Sequence, residues 1–107
     1  MKIEEAIKLV EEKLPKKRYK HSLRVAETAK HLAEIHKGDV EKAELAGVLH
    51  DFSKYDDLGY MYQIVGQHNL DPDLLSYGSE ILHGPVCAVI MKEKYGITDE
   101  EVLAAIH

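Results

Sequence analysis

The chain has 107 residues, 45% apolar and 31% charged, with a net charge of −5. That is room for one domain with one core over residues 1–107. The acidic balance, with Lys and Arg scattered outside "PKKRYK" at 15–20, argues against the basic face that nucleic-acid binding requires. No apolar run approaches the roughly 20 residues that span a bilayer, so no membrane partner is expected. The opening "MKIEEAIKLVEEKL" is amphipathic and acidic rather than a signal peptide. Cys87 is the only cysteine, so there is no internal disulfide, and a reducing, cytoplasmic setting is expected.

The elements read as helices from end to end. Ile3, Ala6, Ile7, Val10 and Leu14 recur at helical spacing and predict a first helix over 3–14. Pro15 stops it. A second helix is predicted from Lys17 to His36, with Leu23, Val25, Ala26, Ala29, Leu32 and Ala33 on its apolar side and Gly38 as its terminator. Asp39 is a natural N-cap for a third helix, Val40 to Phe52. "SKYDDLG" reads as a loop, and "YMYQIVGQH" as a short fourth helix. Pro72 to Tyr77 holds one helical turn at most. A fifth helix is expected from about Ser79 to Tyr95, with Pro85 near its start or at its first regular position. Thr98 with Glu101 fits a capping box for a sixth helix beginning in "DEEVLAAIH". No strand alternation, repeat or linker is visible. The fold class is all-α.

The histidines divide by helical phase. At about 100° per residue, His21 shares a face with Val25, Thr28 and Leu32, at the edge of the apolar stripe. His31 and His36 fall on the charged side, and His68 precedes a polar turn; these three read as surface. His50 lies over Ala43 and Ala46, and Asp51 over Gly47, so small residues leave room beside the pair. His83 sits between Ile81-Leu82 and Gly84-Pro85, again in apolar company. A lone inward histidine is more often a hydrogen-bonded core residue than a ligand, and Asp51 alone would serve as a turn cap. Three inward histidines and a carboxylate from three helices are less readily dismissed. Imidazole and carboxylate form the mixed donor set suited to iron, manganese or zinc, and an ion would partner groups that are costly to bury alone.

"KRYKHSLRVAETAKHLAEIH", "AELAGVLHDFSK" and "ILHGPVCAVIMKEKYGITDEEVLAAI" together resemble the HD-domain metallohydrolases. More narrowly they resemble the YqeK-type branch, the symmetrical bis(5′-nucleosyl)-tetraphosphatases. The HD pair points only to the superfamily; "LHGPV" and "GITDEEVLAAI" narrow it. The resemblance implies an HD-domain helical bundle of five to six helices that binds two metal ions, iron first, with manganese or zinc as alternatives. It implies a phosphohydrolase that splits diadenosine tetraphosphate into two ADP. By matching motif, His21, His50, Asp51 and His83 would be metal ligands, with Asp51 bridging both ions. Lys54 would face the phosphates as a catalytic group, and Arg18 would bind substrate beside it.

The resemblance also implies a further histidine ligand about two positions past His107 and an aspartate ligand beyond that. The chain is therefore expected to be one partial HD domain, C-terminally short of the family pattern, with a small-molecule nucleotide as its partner. Pairing with a second copy is a further expectation, since a shortened core exposes apolar surface. Two alternatives stand beside this reading. One is an HD-domain phosphohydrolase acting on another nucleotide. The other is a non-catalytic helical binding module. Ser53 reads as loop chemistry and Cys87 as a small core residue rather than a nucleophile. Tyr55, Tyr60 and Tyr62 are read as core cover in preference to an adenine-stacking site.

Overall fold

The computed structural model describes residues 1–107, the side chain of Ser79 excepted. The elements run α1 (Ile3–Lys13), α2 (Lys16–Ile35), α3 (Val40–Leu49), α4 (Leu58–Gln67), a 3₁₀ turn (Pro72–Ser76), α5 (Ser79–Glu93) and α6 (Glu100–Ile106). Among the described residues there is no strand, and the fold is all-α as the periodicity predicts. No helix is long and apolar enough to cross a membrane among the described residues.

Each boundary has a local cause. Glu4 and Glu5 stand in the first turn of α1 and Lys13 in the last, matching the helix dipole. Leu14 takes an extended backbone, and Pro15 (φ −56) then caps α2, so one proline ends one helix and opens the next. α2 closes in a Schellman arrangement: Gly38 N–H donates to the Ala33 carbonyl at 2.8 Å and Lys37 N–H to Glu34 at 3.4 Å. The left-handed position in that motif is Lys37, φ 56, and not the glycine that the sequence suggests. Asp39 caps α3 as predicted, its carboxylate accepting from Lys42 N–H at 3.0 Å.

α3 ends at Leu49, three residues earlier than its apolar run implies. From there the chain winds through i→i+3 bonds, Phe52 to Leu49 (3.0 Å), Lys54 to Asp51 (2.9 Å) and Asp56 to Ser53 (3.1 Å), a tighter path than an α-helix. α4 starts two residues earlier than expected because Asp57 accepts from Tyr60 N–H at 3.1 Å. α5 stops at Glu93 and carries Pro85 in its interior, which overturns the reading of Pro85 as a first helical residue. The Thr98–Glu101 capping box is replaced by Asp99, whose Oδ1 accepts from Glu101 N–H (2.9 Å) and Val102 N–H (3.3 Å). Asp99 also reaches Lys42 of α3 at 3.2 Å, a tie that Thr98 lacks the charge to make.

The core gathers Val10, Leu49, Met61, Leu82, Val86 and Met91, with α6 closing one side through Val102 and Ile106. The most extensive helix pairing is α2 against α3, and it is made by small residues. Ser22 and Ala26 are the buried positions of α2, while Leu32 is 51% and Ile35 61% exposed. The predicted stripe is thus rotated. Gly47 explains why: a Cβ there would lie 2.7 Å from Ala26 Cα, so only a glycine facing a small-residue row permits this approach. Of the three tyrosines read as core cover, Tyr62 packs against the core and its hydroxyl donates to the Tyr77 carbonyl at 3.3 Å. Tyr55 and Tyr60 are exposed.

Candidate metal centre

Five side chains singled out from sequence project toward one region. α2 carries Arg18 and His21, one turn apart and therefore on one face. His50 caps the end of α3, Asp51 opens the tightened turn, and α5 supplies His83. His50 Nδ1–H donates to the Gly47 carbonyl at 2.6 Å. That bond fixes the tautomer and leaves the Nε2 lone pair bare, the usual arrangement behind a metal-ligating imidazole. His50 Nε2 lies 3.4 Å and His83 Nε2 3.7 Å from Asp51 Oδ1. The His21 and His50 rings are 5.9 Å apart between centroids, tilted by 53°.

One donor atom each from His21, His50 and Asp51 falls within 4.8 Å of the others. Two ligands held at 2.0–2.2 Å from one ion can be no more than about 4.4 Å apart, so the three donors stand at or close to the spacing that one ion needs. Two imidazole nitrogens and a carboxylate oxygen, one of them nearly fully buried, fit a first-row divalent ion. Pro85 lies two residues past His83. Lacking an N–H, it removes the helical bond to the Ile81 carbonyl, so the turn that carries His83 is the loosened one.

The electrostatics favour ligand-ready states. Burial and then the nearby Arg18 charge hold His21 below the ordinary histidine value, so its ring is neutral at pH 7. Burial pushes Asp51 upward, but its positive surroundings, led by the Arg18 hydrogen bond, outweigh it, and the carboxyl titrates below the usual range. Asp51 is not a turn cap. Its Oδ2 accepts from Arg18 Nη2, and its side chain is 5% exposed. The resemblance assigns Arg18 to substrate and gives no sign of this pairing; the one sequence signal is its i, i+3 spacing to His21. Gly47 was read only as space beside Asp51, and its carbonyl gave no sequence signal.

Lys54 is half-buried, and among the described residues its ammonium makes no hydrogen bond or ion pair. The structure does not bring it onto the other five. His31, His36 and His68 are exposed, as expected. Cys87 is buried, donates to the Leu49 carbonyl at 3.3 Å, and is pushed up to about 12 by burial, so it stays a thiol in the core. The end of α6 stands against α5 where a Cβ on Gly84 would meet the His107 carbonyl at 2.3 Å, next to His83. A groove of about 610 Å³ lies elsewhere, lined by Lys2, Asp39, Lys42 and Asp99.

A histidine on one helix, a His-Asp pair closing the next and a histidine on a third make the arrangement. Residues 18–107 match the HD domain family. The chain belongs to the HD domain family. This HD domain is 74% identical over 106 residues to a symmetrical bis(5′-nucleosyl)-tetraphosphatase of Staphylococcus aureus, covering 99% of this chain and 55% of that protein. It is 42% identical over 101 residues to the protein of the same name from Halalkalibacterium halodurans, covering 94% and 54%. The HD domain also superimposes on a predicted HD superfamily hydrolase involved in NAD metabolism from Clostridium acetobutylicum. The TM-score is 0.88 at 35% identity, over 99% of this chain and 57% of that one. The chain spans about half the length of the curated relatives it matches.

Proposed function

We propose that this HD domain is the metal-dependent centre of a hydrolase that splits diadenosine tetraphosphate between its two central phosphates. The observation that carries the proposal is the convergence of His21, His50 and Asp51 in a chain 74% identical to a protein named for that reaction. In this reading His21, His50, Asp51 and His83 hold two divalent ions, iron first and manganese or zinc as alternatives. The protein works in the cytoplasm. When bound, such ions supply Lewis acidity toward phosphoryl oxygens and lower the pKa of water.

The rest belongs to the chain's own residues. Asp51 brings the negative charge that offsets the cations from a position shielded from water. The Gly47 carbonyl keeps the His50 ring aimed. Lys54 and Arg18 meet charge on the phosphates, as electrostatic stabilisation of phosphoryl transfer requires. Water oxygen becomes bonded to an inner phosphorus, and the central bridging oxygen leaves with the other half, so each product is ADP.

Product chromatography tests this directly. Full-length protein incubated with diadenosine tetraphosphate and ferrous or manganous ion should yield ADP alone. Equal amounts of ATP and AMP would place the cut elsewhere and overturn the assignment.

A further inference from the structure

Asp51 already holds a cation. Its Oδ2 accepts from Arg18 Nη2, while its Oδ1 faces His50 Nε2 at 3.4 Å and His83 Nε2 at 3.7 Å. The two oxygens are therefore divided between the guanidinium and the ring of candidate ligands. A carboxylate 5% exposed is costly to leave without a counter-charge, so something positive must accompany it in every state. Yet Arg18 is not fully satisfied where it stands. Its Nε is buried with no acceptor among the described residues, and such orphaned donors are rare in purely structural pairs. Its side chain is also 27% exposed, so it has a way out toward solvent.

Resting on the metal-centre reading above, we propose that Arg18 is the resident counter-charge of Asp51 in the metal-free protein, and that it yields Oδ2 when a divalent ion binds. The exchange swaps one cation for another on the same carboxylate and makes or breaks no covalent bond. Two consequences follow from mass action. Arg18 competes with the ion, so the protein binds metal less tightly than it would with a neutral residue at that position. The released guanidinium, with Nε and both terminal nitrogens free, becomes a phosphate site, and an anion that captures it must tighten metal binding by the same factor.

The test uses full-length, metal-stripped protein and manganous ion. Arg18→Gln should bind Mn²⁺ about ten-fold or more tighter by calorimetry, the scale of one charge-assisted hydrogen bond, while melting at a lower temperature without metal. Phenylglyoxal labelling of unaltered protein gives a second readout that needs no variant. Labelling of Arg18 should rise several-fold when Mn²⁺ is added, while Arg24, the chain's other arginine and an exposed one, stays constant. Unchanged Arg18 labelling, or a folded Arg18→Gln with equal or weaker Mn²⁺ affinity, overturns the exchange. His50→Ala separates the two ideas: if it binds Mn²⁺ as well as the parent, the metal centre itself is wrong, whatever Arg18 does.

Discussion

Gly47 and His50 are joined by a 2.6 Å hydrogen bond from the imidazole Nδ1 to the main-chain carbonyl, and the same glycine lies against Ala26 of α2 with no room between them for a Cβ. One residue thus sets the orientation of a candidate ligand and the separation of the two helices that bring the ligands together.

Gly47→Ala should therefore be damaging out of proportion to one methyl group. The new Cβ would lie 2.7 Å from Ala26 Cα and 3.0 Å from Ala26 N, and backbone atoms cannot rotate away as a side-chain tip can. A loss of about 2–3 kcal/mol is expected, the upper range for overpacking, read as a lower urea midpoint with an unchanged slope. Mn²⁺ affinity should fall with it, because His21 is carried away from His50. Parental stability would show that the helices stand further apart than described.

Asp51→Asn keeps the side-chain shape and removes the charge. Metal binding and hydrolysis by full-length protein should both be lost. The fold should survive at a cost of about 1–2 kcal/mol, since Arg18 loses its buried partner but keeps access to water. Retained turnover would remove Asp51 from the reaction.

Lys54→Ala separates binding of the ion from handling of the phosphates. Calorimetry should give the parental Mn²⁺ affinity, because Lys54 makes no ion pair with the ligand cluster among the described residues. Turnover should drop by about 10²-fold, the scale of a lost electrostatic donor. A variant with normal turnover means that the lysine is only part of the surface.

Lys37→Gly should stabilise the protein. Lys37 holds φ 56 at the end of α2, where an L-residue costs roughly 1–2 kcal/mol and glycine nothing. After the extra freedom of the unfolded chain is subtracted, a gain of about 0.5–1 kcal/mol remains, visible as a higher urea midpoint.

The Asp99–Lys42 pair gives a pH signature. Burial raises Asp99, but the Lys42 contact and the Glu101 and Val102 N–H groups outweigh it, so its folded value lies below the ordinary 3.8. A depressed carboxyl contributes stability above its unfolded pKa and loses it as pH falls through the folded value. Lys42 is raised above 10.5, chiefly by its bond to Asp99, and contributes below that pH until its own folded value is passed. Asp99→Asn should flatten the stability profile on the acid side below pH 4. An unaltered profile would mean that the cap and ion pair carry no linkage.

The candidate ligands were legible because helical phase is a local property. The inward aspect of His21 and His50 follows from residues on the same helical face, and that of His83 from its apolar neighbours Ile81, Leu82 and Pro85. What escaped is non-local. The Arg18–Asp51 pair spans 33 positions, and nothing near either residue announces the other. The apolar stripe on α2 includes the buried Ala26 but also the exposed Leu32, and it passes over the buried Ser22, because apolar character alone does not mark this interface. The interface is instead built from Ser22 and Ala26, where small size is the reason for contact. Leu49 ends α3 because i→i+3 bonds replace i→i+4 ones, and an apolar run such as "GVLHDF" reads the same in either winding. Lys37 and Asp99 show the same limit at helix ends, where a neighbouring Gly38 or Thr98 carries the stronger sequence signal.

The close pairing of α2 and α3 has a consequence for how the site comes into being. His21, His50 and Asp51 lie within a span of 31 positions, whereas His83 follows 32 later. Contacts between neighbouring helices form readily because little chain must be closed, and a nascent polypeptide gathers its early segments first. Three of the donors therefore depend on α2, α3 and the turn that follows, and only the fourth on α5. The part of the candidate centre that is contiguous in sequence thus rests on the α2–α3 pairing, and His83 ties that pair to the C-terminal half of the chain.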